Sequence, residues 1–221
     1  MSGPLALVGG GEWREGCAFD GGLLSAAGTS EVLVLPTAAA YEHPYRAVET
    51  ADAYFQGLGA SVRALMVLHR REAEEAANAR AVRESRFIYM GGGSPLHLRS
   101  VLKDSAVWEA LVAAWNDGAV LAGSSAGAMV LCDPMVDPRG GAFTVGLGLL
   151  AQMALIPHHD TWSREKARRT IDLAPPGLPI VAVDEQTAVI RHPDGSWATE
   201  GAGKVVVFVD GQEVGLGALP R

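Results

Sequence analysis

Short apolar runs alternate with longer amphipathic segments along most of this chain. Leu5-Ala6-Leu7-Val8 ends in Gly9-Gly10-Gly11, and Val32-Leu33-Val34-Leu35 ends in Pro36-Thr37. Ser61 to Met66 reads as a third strand, and Arg86 to Met90 as a fourth that ends in Gly91-Gly92-Gly93. Between them, Tyr45 to Leu58 and Arg71 to Glu84 have the charge content and apolar spacing of surface helices. Near-continuous apolar strands separated by helices call for a sheet covered on both faces, with its strands mostly parallel. The pattern predicts an α/β fold on a mostly parallel, doubly wound sheet, with sites beyond the carboxyl ends of its strands.

The last third changes character. Thr187 to Arg191 and Ser196 to Thr199 flank Pro193-Asp194-Gly195, and Val205 to Val209 is followed by Asp210-Gly211 and an extended run from Gln212. Both segments read as hairpins, giving antiparallel strands appended to the parallel sheet. No linker composition, repeat or low-complexity tract interrupts residues 1–221, so a single domain is expected.

Composition narrows the partners. Hydrophobic residues make up 48% and charged residues 19% of 221, as in a globular protein and unlike a disordered one. A net charge of −7 argues against nucleic acid, which needs clustered Lys and Arg to neutralise phosphates. Two cysteines, Cys17 and Cys132, cannot build a disulfide framework, which fits a reducing, cytoplasmic setting. Met1 to Gly11 has no basic segment ahead of its apolar run, so no secretory signal is expected. No apolar run reaches the roughly 18–20 residues of a membrane span. A homo-oligomer is compatible with the chain, but no residue pattern argues for one.

The chemistry concentrates in Gly123-Ser124-Ser125-Ala126-Gly127-Ala128. The strand-like Ala119-Val120-Leu121-Ala122 precedes it and the helix-like Ala128-Met129-Val130-Leu131 follows. Small residues two before and two after a serine allow a sharp strand-to-helix turn that lifts the hydroxyl to a helix N-terminus. Ser125 is thus the tip of a nucleophile elbow. A serine nucleophile needs a positioned base, and His158 follows the apolar run Leu155-Ile156-Pro157, 33 residues on. A further buried run, Ile180 to Val183, delivers Asp184 and Glu185 to the same edge. The order Ser, His, acid differs from the Ser, Asp, His order of α/β-hydrolases. Ala126 offers one oxyanion-binding N–H, and the second is expected from Gly92 or Gly93.

Other chemistries fit less well. The triple glycines lack a following Gly-Lys-Ser/Thr, so nucleotide binding is not expected. His158-His159-Asp160 has no second ligand pair at metal spacing, so neither metal nor cofactor is expected. His43, His69, His97 and His192 read as surface or capping residues, and Cys132 as a small buried hydrophobe.

Gly91-Gly92-Gly93, Gly123 to Ala128, Pro157-His158 and Val183-Asp184-Glu185 resemble, in order and spacing, the peptidase E/cyanophycinase family of serine peptidases, family S51. The resemblance runs from about residue 5 to about residue 210. It implies a fold like that of class I glutamine amidotransferases, with serine replacing their cysteine. It also implies Ser125 as nucleophile, His158 as base and Glu185 as the orienting acid, with Asp160 and Asp137 as alternatives for the acid. Ser163-Arg164-Glu165 is similar to a stretch of the aspartyl dipeptidases in which the arginine is associated with substrate, so Arg164 is an expected substrate-binding residue. Ser94, which with Pro95 replaces the polar pair usual after the family's triple glycine, is the other. The implied function is a serine exopeptidase acting on dipeptides or short peptides through an acyl-enzyme. An esterase or amidase with the same triad, or a non-catalytic domain holding a small anion, are the alternatives.

Overall fold

A computed structural model describes residues 1–139 and 142–220. The first two thirds follow the alternation read from the sequence: β1 (Leu5–Val8), α1 (Phe19–Ala27), β2 (Glu31–Leu35), α2 (Pro44–Gly57), β3 (Ser61–Ala64), α3 (Arg70–Ala73), α4 (Ala76–Arg83), β4 (Phe87–Met90), α5 (Pro95–Leu102), α6 (Ala106–Asn116), β5 (Val120–Ser124) and α7 (Ala126–Leu131). The five strands lie in the order β1-β5-β4-β2-β3 with every neighbour parallel. Side chains alternate across a strand, and the two faces build two cores. Leu5 and Leu7, Leu33 and Leu35, Ile88 and Met90 pack on one side with Leu98, Leu111 and Val130 of α5, α6 and α7. Ala6 and Val8, Val32 and Val34, Phe87 and Tyr89 pack on the other with Phe19 and Leu23 of α1 and Phe55 of α2.

The segment expected as one helix from Arg71 to Glu84 divides at Glu74-Glu75 into α3 and α4. His69 caps α3 in a reciprocal box with Glu72, and Asn78 donates to the Glu72 carbonyl at 2.9 Å, closing off the turn. Helix propensity is a weak prior, and these local hydrogen bonds override it.

After α7 the chain makes four two-residue strands, β6 (Cys132–Asp133), β7 (Met135–Val136), β8 (Phe143–Thr144) and β9 (Leu150–Ala151), then β10 (Ala154–Ile156), α8 (Arg164–Asp172) and β11 (Ile180–Val183). The C-terminal hairpins follow as β12 (Thr187–Arg191) with β13 (Trp197–Gly201), and β14 (Val205–Val209) with β15 (Gln212–Val214). The first hairpin extends the main sheet, with β12 antiparallel to β1. The second does not: β14 pairs with β11 in a separate sheet of order β10-β11-β14-β15. The antiparallel strands expected at the C-terminus are thus present, one hairpin extending the parallel sheet and the other the sheet of β10 and β11. Ile180 to Val183 is apolar on both faces, which signals burial but carries no information about which sheet buries it. Among the described residues no helix is long and apolar enough to cross a membrane.

One buried acid lies in α1, which packs on β4 and β5. Asp20 is fully buried, and among the described residues neither of its carboxylate oxygens has a hydrogen-bond partner, nor do the buried Trp13 Nε1 and Tyr89 hydroxyl. Burial pushes the Asp20 carboxyl up to about 8, opposed by the neighbouring Tyr54 hydroxyl and assisted by the charge of Glu12. The native state therefore holds a proton that the unfolded chain releases near pH 4. Stability from this group is full below about pH 4 and is lost as pH rises toward 8. Asp20→Asn removes the titration. Its melting temperature relative to the unchanged protein is expected to rise by on the order of 10 °C between pH 5 and pH 9. A difference that stays flat across that range rules out a protonated Asp20.

Candidate active site

The Gly-x-Ser-x-Gly spacing has a steric basis. A Cβ on Gly123 would lie 2.5 Å from the Gly127 carbonyl oxygen, and one on Gly127 would lie 2.4 Å from the Met90 carbonyl oxygen. Only glycine permits both approaches, so β5 passes directly into α7 with its first turn pressed on β4. Ser125 takes the strain, with φ 48° and ψ −107°, a region seldom visited by a residue with a side chain. Its N–H donates to the Val8 carbonyl at 2.9 Å and its carbonyl accepts from Met129 at 2.9 Å, which fixes the turn between β1 and α7.

His158 arrives from the second sheet, two residues beyond β10, also at positive φ (51°). Its N–H donates to the Gly9 carbonyl at 2.7 Å, tying it to the end of β1. Nε2 lies 2.8 Å from Ser125 Oγ and Nδ1 lies 2.8 Å from Glu185 Oε1. Glu185 follows β11, the parallel neighbour of β10, and Asp160 accepts the Glu185 N–H at 3.0 Å. With Nδ1–H donated to Glu185, Nε2 is the unprotonated nitrogen and faces the Ser125 hydroxyl.

The other acids and the second histidine are engaged elsewhere. Asp160 holds backbone, and Asp137 is paired with Arg139, whose hydrogen bonds lower its carboxyl to about 2. His159 turns to Asp184, Nδ1 to Oδ1 at 3.4 Å. Cys132 is fully buried, and burial pushes its thiol up to about 12. His69 caps α3, and His97 Nε2 lies 2.8 Å from the Leu68 carbonyl.

Around Ser125 the expected groups divide. The Ala126 backbone opens α7 directly after Ser125. A Cβ on Gly92 would lie 3.5 Å from the Ser125 Cβ, so the triple-glycine turn does reach the serine. Gly93 has φ 134° and presses on the Ala38 carbonyl, where a Cβ would come to 2.3 Å. The Gly92 N–H is already committed, donating to Glu12 Oε1 at 2.9 Å. Ser94 caps α5: its hydroxyl accepts the His97 N–H at 3.3 Å and its own N–H donates to the Ala38 carbonyl. Arg164 opens α8, exposed, and borders a cleft of about 420 Å³ with His159, Arg168 and Phe208. Arg168 pairs with Asp172 one turn on, at 3.5 Å.

Two residues of the site were not singled out from sequence. Gly10 lies against the imidazole, and a Cβ there would come within 2.1 Å of His158 Cε1. Glu12 spans the glycine turn and Ser124. The available signal was the Gly9-Gly10-Gly11 run at the end of β1, the strand beside β5.

The sequence profile of peptidase family S51 matches residues 5–196. Among curated proteins, the cyanophycinases of Trichormus variabilis and Nostoc sp. are 28% and 27% identical to this chain over 164 residues, which is 69% of this chain and 55% of each of theirs. The chain spans about half the length of the curated relatives it matches. Among solved structures, a peptidase from an acI-B1 Actinobacterium is similar with a TM-score of 0.86 at 28% identity, covering 97% of this chain and 93% of that one.

Proposed function

This chain belongs to peptidase family S51, and from that premise we propose that it is a serine exopeptidase hydrolysing dipeptides or short peptides through Ser125, His158 and Glu185. The observation that carries the reading is the continuous hydrogen-bond chain from Ser125 Oγ through His158 to Glu185, with 2.8 Å at each link. His158 Nε2 takes the Ser125 proton as Oγ attacks the scissile carbonyl. Glu185 keeps the proton on Nδ1 and stabilises the imidazolium that forms. The carbonyl oxygen, now an anion, is met by the N–H of Ala126 and by the glycine turn, where Gly93 is the amide left after Gly92 binds Glu12. His158 then protonates the leaving amine, the acyl-enzyme forms, and water enters by the same route in reverse.

A fluorophosphonate probe tests the nucleophile: one label per chain on Ser125 is expected, and an unlabelled Ser125 in folded protein removes the reading. A panel of short peptides and matched esters separates a peptidase from an esterase.

Arg164 supplies the second part of the proposal. A guanidinium can fork onto a carboxylate with two parallel hydrogen bonds, and Arg164 is an exposed cation beside the neighbour of the catalytic histidine. It binds the C-terminal carboxylate of a short peptide and so restricts the enzyme to chain ends. Arg164→Ala is expected to lower kcat/KM by about tenfold or more on peptides with a free C-terminus, the usual worth of a charged hydrogen bond. Amidated peptides, already poor, should change little. Equal losses on both sets show that Arg164 does not read the carboxylate.

A further inference from the structure

Glu12 lies two residues beyond Gly10, in the loop after β1, and its carboxylate crosses to the other side of the site. Oε1 accepts the Gly92 N–H at 2.9 Å and Oε2 accepts the Ser124 hydroxyl at 2.7 Å. A Cβ on Gly92 would be 3.2 Å from Glu12 Oε1 and 3.5 Å from the Ser125 Cβ, so the carboxylate sits against the amide turn next to the nucleophile. It is half-buried, and among the described residues no Lys, Arg or His forms an ion pair with it. Its neighbours at this edge differ: Glu185 is paired with His158, and Asp184 with His159.

A bare carboxylate here opposes acyl transfer. Negative charge builds on the carbonyl oxygen beside the same glycine turn, and two like charges in a partly water-excluded site repel strongly. Bracing Gly92 and Ser124 does not require the charge. A glutamine would accept the Gly92 N–H through its carbonyl and donate to the Ser124 oxygen through its amide. A cation brought by the substrate would cancel the repulsion and gain a charge-assisted hydrogen bond.

We propose that Glu12 is a specificity-determining residue whose carboxylate binds a cationic group, an ammonium or guanidinium, held near the scissile carbonyl of the substrate peptide. The inference rests on the peptidase reading and deepens it. The cation has two sources with the same chemistry, the free amino terminus of a short peptide or a Lys or Arg side chain.

Three matched short peptides distinguish them: one with a free amino terminus and neutral side chains, one N-acetylated with a lysine, and one N-acetylated with norleucine in its place. The unchanged enzyme is expected to prefer at least one cationic peptide over the neutral one by about tenfold or more in kcat/KM. In Glu12→Gln that preference falls by about tenfold, and the peptide that loses it identifies the source. Glu12→Asp, which keeps the charge on a shorter arm, retains part of the preference. No preference in the unchanged enzyme, or the same preference in Glu12→Gln, overturns the proposal. Calorimetric binding of the same peptides to Ser125→Ala, with and without Glu12→Gln, reads the cation without turnover. Charge-selective binding with no hydrolysis by the unchanged enzyme would support Glu12 and remove the peptidase reading. Hydrolysis with no charge preference would do the reverse.

Discussion

Replacing Ser125 with alanine is expected to lower peptide hydrolysis by on the order of 10⁴- to 10⁶-fold, the scale of loss when the nucleophile of a serine triad is removed. With the proposed carbonyl-binding groups, the Ala126 amide and the glycine turn, left in place, a small rate above water is expected to persist. The fold should not suffer. The sharp turn is held by the glycines at 123 and 127, whose missing Cβ atoms allow the Gly127 and Met90 carbonyls to approach, and by backbone bonds from Ser125 to Val8 and Met129. None of these uses the hydroxyl. A melting temperature within a few degrees of the unchanged protein, with kcat at background, is the expected pair of results. More than a tenth of the original activity would exclude Ser125 as nucleophile.

Gly10→Ala is expected to abolish most activity although Ser125, His158 and Glu185 are all left unsubstituted. The added methyl would come within 2.1 Å of His158 Cε1 and 2.5 Å of Nδ1, well inside van der Waals contact. The backbone of His158 cannot retreat, because its N–H is bonded to the Gly9 carbonyl at 2.7 Å and its carbonyl accepts from Trp162 at 2.8 Å. The ring must therefore swing away from both Ser125 and Glu185. A misplaced general base leaves the serine at its ordinary, weak reactivity, so a loss of about 10³-fold or more is expected. Gly10 also has φ 123°, where a side chain adds strain of about 1–3 kcal/mol. Fluorophosphonate labelling should slow in parallel with hydrolysis, although Ser125 is intact. Labelling at the original rate would show that the imidazole keeps its place and that Gly10 does not position it.

The parts of the site that were legible have local causes. The elbow was readable because its backbone geometry is set within five residues, and two of those positions can hold only glycine. The central strands β1, β4 and β5 were readable because each buries both faces, leaving an apolar run with no polar alternation. The helices α1, α5 and α6 were not singled out. The apolar faces of α1 and α6 are broad, and α5 begins at Ser94-Pro95, where the serine was read as a site residue and its capping role passed over.

By itself the sequence determined the parallel α/β core, the turn that presents Ser125, and the placement of His158 and Glu185 at the ends of apolar runs. It did so because glycine spacing and continuous apolar runs act through neighbouring residues. Only the tertiary structure decided that His158 and Glu185 come from a second sheet, and that Asp137 belongs to Arg139 and Asp160 to the Glu185 backbone. It also decided that Ser94 caps a helix and that Glu12, 80 residues before Gly92 and 112 before Ser124, sits between them. Each of these side chains had more than one use open to it. For Asp160 and Glu12 the use depends on which donors the packed sheets bring within about 3 Å, a distance that no local pattern records, whereas Asp137 and Ser94 take partners two and three residues along the chain.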